Sequence, residues 1–573
     1  MDENDRNGQA PQSAGKGDAP HDGNQGTPGA SGTGDSGAFA NEPKPPGTTD
    51  GSSPVDTSTA KVISDTFFAS TSKIVVQFLK PVRGIILGNL LGTHLYGLMN
   101  IADPYINIGI ILSNIGFNTA TARLIPEYQH MGRKDLARMI YRSSAVLTML
   151  LGTIWCVLLL AFSGQIAERF AHQPDAAMPI RIYALIIPFL ALNAFYAALY
   201  LAVQRGKLRA VITFVYGIFT LVLPIAAVLW RRNVGVIIGG LVAAEAIGAL
   251  LFVAFFHRKI IHRFGEKVGP LVQGMKEIFG FGYLFFFASL GWNMLNSVDR
   301  FMVTFYLPTD QYGIYFMATR VVTALSLVAS TAGIALIPSL TVARSSGDRV
   351  LFGRQIHSTT RLGFMALVPL ITIIFVLATD VVSLLLPDSF LPAARVMQIL
   401  VFIGLVDIIC RTGYAALVAH GRGGMAASSY ILAAAWNLFW NWQLIPRYGL
   451  TGAAVATLSA FVFLAAILQI MMRRISGVNV KLTNLLLPAL ACLVYPLIGR
   501  LLAGADSFVR IIIVVIVGTA FYLVLAVRLR IVRSEDLAKT REMLSSRASV
   551  PHVRLTLKLV DLMEAIDRRL GGR

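Results

Sequence analysis

The side chains in this 573-residue chain whose types and spacing could do chemistry are ionisable groups set inside long apolar runs. Ser70, Lys73, Gln77, Lys80 and Arg83 recur at intervals of three and four residues, which places them on one face of a helix. Ser289, Asn293, Asn296 and Arg300 follow the same rule, with Asp299 beside Arg300. Asn100, Asp103, Asn107, Asn114, Asn118 and Thr121 form another stripe, and Asp407, Arg411 and Tyr414 a further one. Arg320 and Glu245 stand alone in their runs. A charge at mid-membrane costs about 2.5 to 3.5 kcal/mol on insertion scales, so these residues are expected to face protein or water rather than lipid. Arginine suits bidentate contact with phosphate, lysine acts as a point charge, and amides pair with hydroxyls. Lys80, Arg83, Asn293, Asn296, Arg300, Arg320 and Arg411 are therefore the candidate binding residues. Asp103, Glu245, Asp299 and Asp407 are candidates for proton or cation coupling, or for neutralising the basic groups. A plainer reading makes Asp407 and Arg411 an intrahelical pair and lets Lys73 snorkel to the interface.

The elements that must carry these stripes are helices. Hydrophobic residues make up 55% of the chain and charged residues 14%, where a soluble domain carries about a quarter charged. The apolar runs are long enough to span a bilayer and lack the short alternation of barrel strands. They read as about 14 transmembrane helices. Arg and Lys crowd the connections on one side, such as Arg133, Lys134 and Arg138, and are sparse on the other, which puts both termini in the cytoplasm. Pro104, Pro188, Pro224 and Pro369 are expected to kink their helices.

An internal repeat lies at an offset of about 212 to 216 residues. Leu95-Tyr96-Gly97 corresponds to Gln311-Tyr312-Gly313, Ile125-Pro126 to Ile337-Pro338, and Ala197-Ala198-Leu199 to Ala415-Ala416-Leu417. The expected organisation is a disordered cytoplasmic tail at 1–62, a six-helix lobe at 63–272, a second at 273–477, two further helices at 478–530, and a cytoplasmic tail at 531–573.

Several function classes are disfavoured. Cys156, Cys410 and Cys492 lie singly in apolar runs, which argues against a disulfide framework or a zinc site, and no other metal site is expected. No phosphate-binding G-x-x-x-x-G-K-[ST] loop or nucleophile elbow is present. The formal charge of +19 sits in short loops where it fixes topology and meets anionic membrane lipids, so a nucleic-acid partner is not expected. No cofactor is called for.

Between residues 63 and 530 the chain resembles the polysaccharide transporters, or Wzx-type oligosaccharide flippases, of the MOP superfamily, which also holds lipid II flippases and MATE drug exporters. The resemblance rests on Leu95-Tyr96-Gly97, Ala122-Arg123-Leu124-Ile125-Pro126-Glu127-Tyr128, Asp299-Arg300 followed by Tyr312-Gly313-Ile314-Tyr315, and Phe390-Leu391-Pro392-Ala393-Ala394. It implies an all-α polytopic, MATE-like membrane protein that moves an undecaprenyl-pyrophosphate-linked oligosaccharide unit across the cytoplasmic (inner) membrane by alternating access, for surface polysaccharide synthesis. Ion coupling stays open, as does partnership with a polysaccharide polymerase and export machinery. Two alternatives remain. A MATE-like drug antiporter handling organic cations would favour an acidic, aromatic cavity, whereas the stripes here are net basic. A membrane-embedded polymerase or glycosyltransferase would present carboxylates in a substantial outer loop, and the outer loops here are short.

Overall fold

The computed structural model describes residues 59–529, apart from Val268 and Leu482, together with Asp561. The expected disordered tails, 1–62 and 531–573, lie outside the described residues except for Asp561 and residues 59–62, which open the first helix. The first half of the chain builds α1 (Thr59–Asn100), α2 (Asp103–Asn114), α3 (Phe117–His130), α4 (Lys134–Gln165), α5 (Ala177–Ala184), α6 (Ile187–Ala202), α7 (Gly206–Trp230) and α8 (Val234–Lys259). The second half builds α9 (Leu271–Leu295), α10 (Val298–Tyr306), α11 (Thr309–Ser345), α12 (Arg349–Leu385), α13 (Pro392–Leu400), α14 (Ile403–Ala419) and α15 (Gly423–Ser476). A final set, α16 (Thr483–Ala491), α17 (Val494–Leu501) and α18 (Ser507–Arg528), follows. There is no strand among the described residues.

Nine helices among the described residues are long and apolar enough to cross a membrane, or ten if the bent pair Pro174–Ala184 and Ile187–Ala202 is one span. The sequence reading of about 14 spans is finer than this because it counts apolar runs rather than unbroken helices. Helix α15 holds two such runs and bends at Gly449, whose φ of 56° lies in the left-handed region open to glycine. Helix α1 likewise bends at Gly92 (φ 73°), so its last residues start the next run.

Two prolines, Pro224 and Pro369, explain why particular helices pack where they do, and the break before Pro104 adds a third contact of the same kind. A proline inside a helix removes the N–H that would bond the carbonyl four residues earlier. At the break between α1 and α2, where Pro104 stands in the first turn of α2, the Asn100 carbonyl accepts from the Tyr312 hydroxyl of α11 at 3.1 Å. Pro224 frees the Thr220 carbonyl, which accepts from Arg83 Nη1 of α1 at 3.0 Å. Pro369 frees the Met365 carbonyl, which accepts from the Tyr522 hydroxyl of α18 at 2.7 Å. An unpaired polar group in an apolar medium is costly, and each of these carbonyls is met by a donor from a neighbouring helix.

Helices α1, α7 and α11 pack side by side, α4 gathers α2, α3 and α6, and α15 gathers α9, α10 and α14. The appended helices lean on α12, where Arg510 Nη1 lies 3.2 Å from buried Asp380 and Ser507 Oγ donates to the same carboxylate at 3.2 Å. A buried ring cluster, Tyr96 with Phe316 and Phe390, joins α1 to the second half. Large apolar side chains such as Leu250, Ile516 and Phe521 are left uncovered on the perimeter. The three cysteines are buried and free.

Candidate substrate cavity

Between the halves lies a cavity of about 520 Å³ whose walls come from α1, α2, α9, α10, α11, α13, α14 and α15. Six of the expected site residues line it in each half's polar stripes: Asp103 from α2, then Asn293, Asn296, Asp299, Arg300 and Arg320 from α9 through α11. Arg411 of α14 lines it as well.

Asp103 is the centre of the charge arrangement. Its side chain opens α2 next to Pro104 and is buried. Arg300 Nη1 donates to Asp103 Oδ2, and Arg320 Nη2 donates to Asp103 Oδ1 at 2.9 Å. One carboxylate from the first half thus holds two guanidiniums of the second. Asn107 Nδ2 adds a bond to Asp103 Oδ2 at 2.8 Å. Arg300 also donates to the Asn296 carbonyl at 2.5 Å and to Ser297 Oγ at 3.3 Å. Arg320 lies over the Phe316 ring, 4.3 Å from its centroid, so its cation is held by charge on one side and a ring face on the other.

Arg411 repeats that device. Its Nε donates to Asp407 Oδ2 at 3.1 Å one helical turn away, and its guanidinium lies 4.9 Å from the Trp292 ring centroid. Asp407 is 1% exposed and its Oδ1 has no hydrogen-bond partner. The intrahelical pair read from the sequence is therefore present, and Arg411 lines the cavity at the same time. Asp299 is buried as well; it accepts from the Tyr315 hydroxyl at 2.7 Å and leaves Oδ1 unpaired. Asn293 and Asn296 bond their own helix through Nδ2, to the Ser289 and Trp292 carbonyls at 2.7 Å each.

Lys80, Arg83 and Glu245 are not among the residues lining this cavity. Arg83 is turned toward α7 by the carbonyl that Pro224 frees. Lys80 is exposed, and its charged neighbours include Arg320, Glu245, Arg83 and Asp103. Glu245 of α8 accepts from Asn193 Nδ2 at 2.7 Å. These three form a second charged group on the first-half side. The sequence reading missed the rings under the cations, Trp292 and Phe316, and the hydroxyls of Thr319, Thr323 and Thr457 on the cavity wall. Phe316 stands four residues before Arg320 on α11, a spacing the sequence does offer, whereas no spacing rule links Arg411 of α14 to Trp292 of α9.

Chemically, three arginines converge on one chamber, each already paired or stacked. A guanidinium has five N–H donors, and Arg300, Arg320 and Arg411 each spend one on a carboxylate, so an incoming anion meets both donors and a competing carboxylate at Asp103.

A family model described as polysaccharide biosynthesis protein matches residues 62–343. An uncharacterized membrane protein of Methanocaldococcus jannaschii is 22% identical over 399 residues, 65% of this chain and 76% of that one. A putative O-antigen transporter of Shigella flexneri is 20% identical over 401 residues, covering 68% and 92%. A probable low-salt glycan biosynthesis flippase of Haloferax volcanii is 21% identical over 192 residues, covering 34% and 41%. Among solved structures, a lipid II flippase, MurJ, in an inward closed conformation superimposes with a TM-score of 0.64 at 15% identity, covering 80% of this chain and 98% of that one. An inward-facing MATE-family multidrug resistance transporter gives 0.59 at 14% identity, covering 70% and 94%. Family model, relatives and fold point the same way: residues 62–343 match the polysaccharide biosynthesis family, and the fold is that of the MurJ flippase and the MATE transporter.

Proposed function

We propose that this multi-pass membrane protein flips a pyrophosphate-linked oligosaccharide on a polyisoprenoid carrier across the cytoplasmic membrane, with both termini in the cytoplasm. The observation that carries the reading is the Arg300–Asp103–Arg320 bridge inside the chamber between the halves. Pyrophosphate offers the two guanidiniums more oxygens and more charge than Asp103 does, so substrate displaces the carboxylate. Displacement breaks a tie between α2 of the first half and α10 and α11 of the second. Binding then favours a state in which the halves, acting as the lobes 63–272 and 273–477, rock apart, since a ligand shifts an equilibrium only through differential contacts with its two states. When substrate leaves, Asp103 re-forms the bridge and neutralises the site. The amides of Asn293 and Asn296 and the wall hydroxyls suit sugar. Lys80 and Arg83 with Glu245 lie on the approach. Asp299 and Asp407, each with one unpaired oxygen, are the groups suited to carry a coupling proton or cation. No reacting bond is needed in this cycle, so the chain acts as a transporter rather than an enzyme, with polymerase and export machinery receiving its product.

The test is reconstitution of the full chain in proteoliposomes with a fluorescent polyprenyl-pyrophosphate oligosaccharide in the leaflet of entry. Transfer to the opposite leaflet, absent from protein-free vesicles and from Asp103→Arg protein, is the expected result. Transport of organic cations instead, with no transfer of the lipid, would turn the assignment to the drug-antiporter reading.

A further inference from the structure

A second, apolar chamber of about 690 Å³ lies against the charged one. Tyr105 and Ile108 of α2, Trp155 and Phe162 of α4, and Phe301 and Phe305 of α10 line it, and Gln165 contributes an amide at its edge. Trp155 reaches in because Gly109 has no side chain: a Cβ there would occupy the indole ring. Its Nε1 donates to the Tyr105 carbonyl at 3.2 Å, so the ring is fixed. Beside the chamber His172 bonds the Phe305 carbonyl at 3.1 Å and packs its ring 5.0 Å from that of Phe305. The side toward the perimeter is open, where Leu158, Phe162 and Phe305 are 40%, 47% and 40% exposed.

Helices α2 and α10 form a wall with a different chemistry on each face. Asp103 and Asn107 give α2 its charged face, and Tyr105 and Ile108 its apolar one. On α10, Arg300 looks into the charged cavity, while Phe301 and Phe305 line the apolar groove. On the groove side α2 and α10 are joined by a ring pair, Tyr105 edge-on to Phe301 at 4.9 Å between centroids. A groove for hydrocarbon thus lies one residue along α10 from Arg300, which shares the Asp103 carboxylate with Arg320.

We propose that this groove seats the isoprenoid chain of the substrate next to its pyrophosphate, with the Tyr105–Phe301 ring pair against the chain as the head exchanges with Asp103. The proposal rests on the lipid-linked oligosaccharide reading and adds to it where the tail goes. Two observations favour the substrate's own chain over bulk phospholipid. Charge beside the groove is complementary to a doubled phosphate, since two arginines converge there. The volume also fits: an apolar cavity of about 150 Å³ takes a benzene-sized molecule, so this one takes several five-carbon units. Ring-lined walls suit an unsaturated, branched chain.

The experiment uses the full chain in lipid nanodiscs and a polyprenyl pyrophosphate carrying a photoreactive diazirine on an isoprene unit near the head. Labelling is expected on peptides holding Phe162 and Phe301 to Phe305, suppressed by unlabelled polyprenyl pyrophosphate and not by excess phosphatidylglycerol. Leu158→Trp and, separately, Phe162→Trp fill the open side; because a buried aromatic ring displaces chain of comparable affinity, each should lower that labelling about tenfold in protein that remains monodisperse. Saturable labelling confined to other helices, equal competition by phosphatidylglycerol, or undiminished labelling in both tryptophan variants would overturn the groove and leave the flippase reading standing. Absence of any saturable labelling of the wild-type chain would overturn both.

Discussion

His94 and Asp310 occupy equivalent positions in the two halves, 216 residues apart, and they pair with each other: His94 Nδ1 lies 2.9 Å from Asp310 Oδ1. The same reciprocity continues around them. Gly97 of α1 sits against the Thr309 carbonyl, and its repeat partner Gly313 sits against the Thr93 carbonyl. Tyr312, the partner of Tyr96, donates to the Asn100 carbonyl. The halves therefore meet about an approximate two-fold axis at the end of the bundle that the loop charges assign to the outer face. Opening the cavity toward that face requires this seam to part.

The His94–Asp310 pair is about half exposed, so it contributes at most about 1 kcal/mol, equivalent to a change of about fivefold in the closed population. His94→Ala and Asp310→Asn should each raise the thiol-labelling rate of a cysteine placed at buried Asn100 by up to that factor, with no loss of protein. An unchanged rate in both would show that the pair does not hold the seam.

The glycine contact is stiffer, because a Cβ at either position meets backbone and not a side chain that can turn away. Gly97→Ala and Gly313→Ala should each cost about 1 to 3 kcal/mol, the usual range for overpacking. Reciprocity predicts similar losses of melting temperature at the two sites. Gly239→Ala, where a Cβ meets open space, serves as the control and should leave the midpoint unchanged.

The sequence made some of this legible and left the rest out of reach, for physical reasons. Helical stripes are a local property, so Asn293, Asn296, Arg300, Asp407 and Arg411 could be placed on faces from spacing alone, and they line the cavity or pair as that implies. The repeat exposed Tyr96-Gly97 and Tyr312-Gly313 as equivalent, but not that equivalent residues touch. Arg83 had the right spacing and a different fate, since Pro224 on another helix gives its guanidinium a carbonyl to bond. Spacing makes Asp103 a candidate for coupling or for neutralising the basic groups, but its simultaneous hold on Arg300 and Arg320 depends on three helices meeting. Fourteen apolar runs did not translate into as many unbroken apolar helices, in part because Gly449 bends the chain without ending it and so joins two runs in α15.

The proline-freed carbonyls give a test of packing that is independent of transport. Tyr522→Phe removes the donor to the Met365 carbonyl and leaves it unpaired, at a cost of about 1 to 3 kcal/mol. Pro369→Ala restores a backbone donor to the same carbonyl. Thermal unfolding of the double variant should therefore be milder than the sum of the two single changes. Strict additivity would mean that Tyr522 matters to α18 for its ring packing alone.

The charge cluster makes the sharpest prediction, because the clamp and the binding site share the same arginines. Arg300→Ala and Arg411→Ala should abolish export of the lipid-linked sugar while the protein stays abundant in the membrane, and Lys at either position should restore it only in part, since bidentate contact is lost. Asp103→Asn separates competition from catalysis of the motion. It removes the carboxylate that competes with substrate, so affinity for polyprenyl pyrophosphate should rise, while transfer per unit time should fall because nothing re-forms the tie between α2 and α10 or expels the head. The two readouts are equilibrium binding in nanodiscs and flipping in proteoliposomes. Exchanging Asp407 and Arg411 completes the set. A pair that serves only to hold α14 tolerates reversal, as intrahelical ion pairs do to within a few tenths of a kcal/mol, whereas a site that must present a guanidinium over Trp292 to phosphate does not. Wild-type flipping by the exchanged protein and by both alanine variants would remove these arginines from the transport cycle and leave the cluster a structural one.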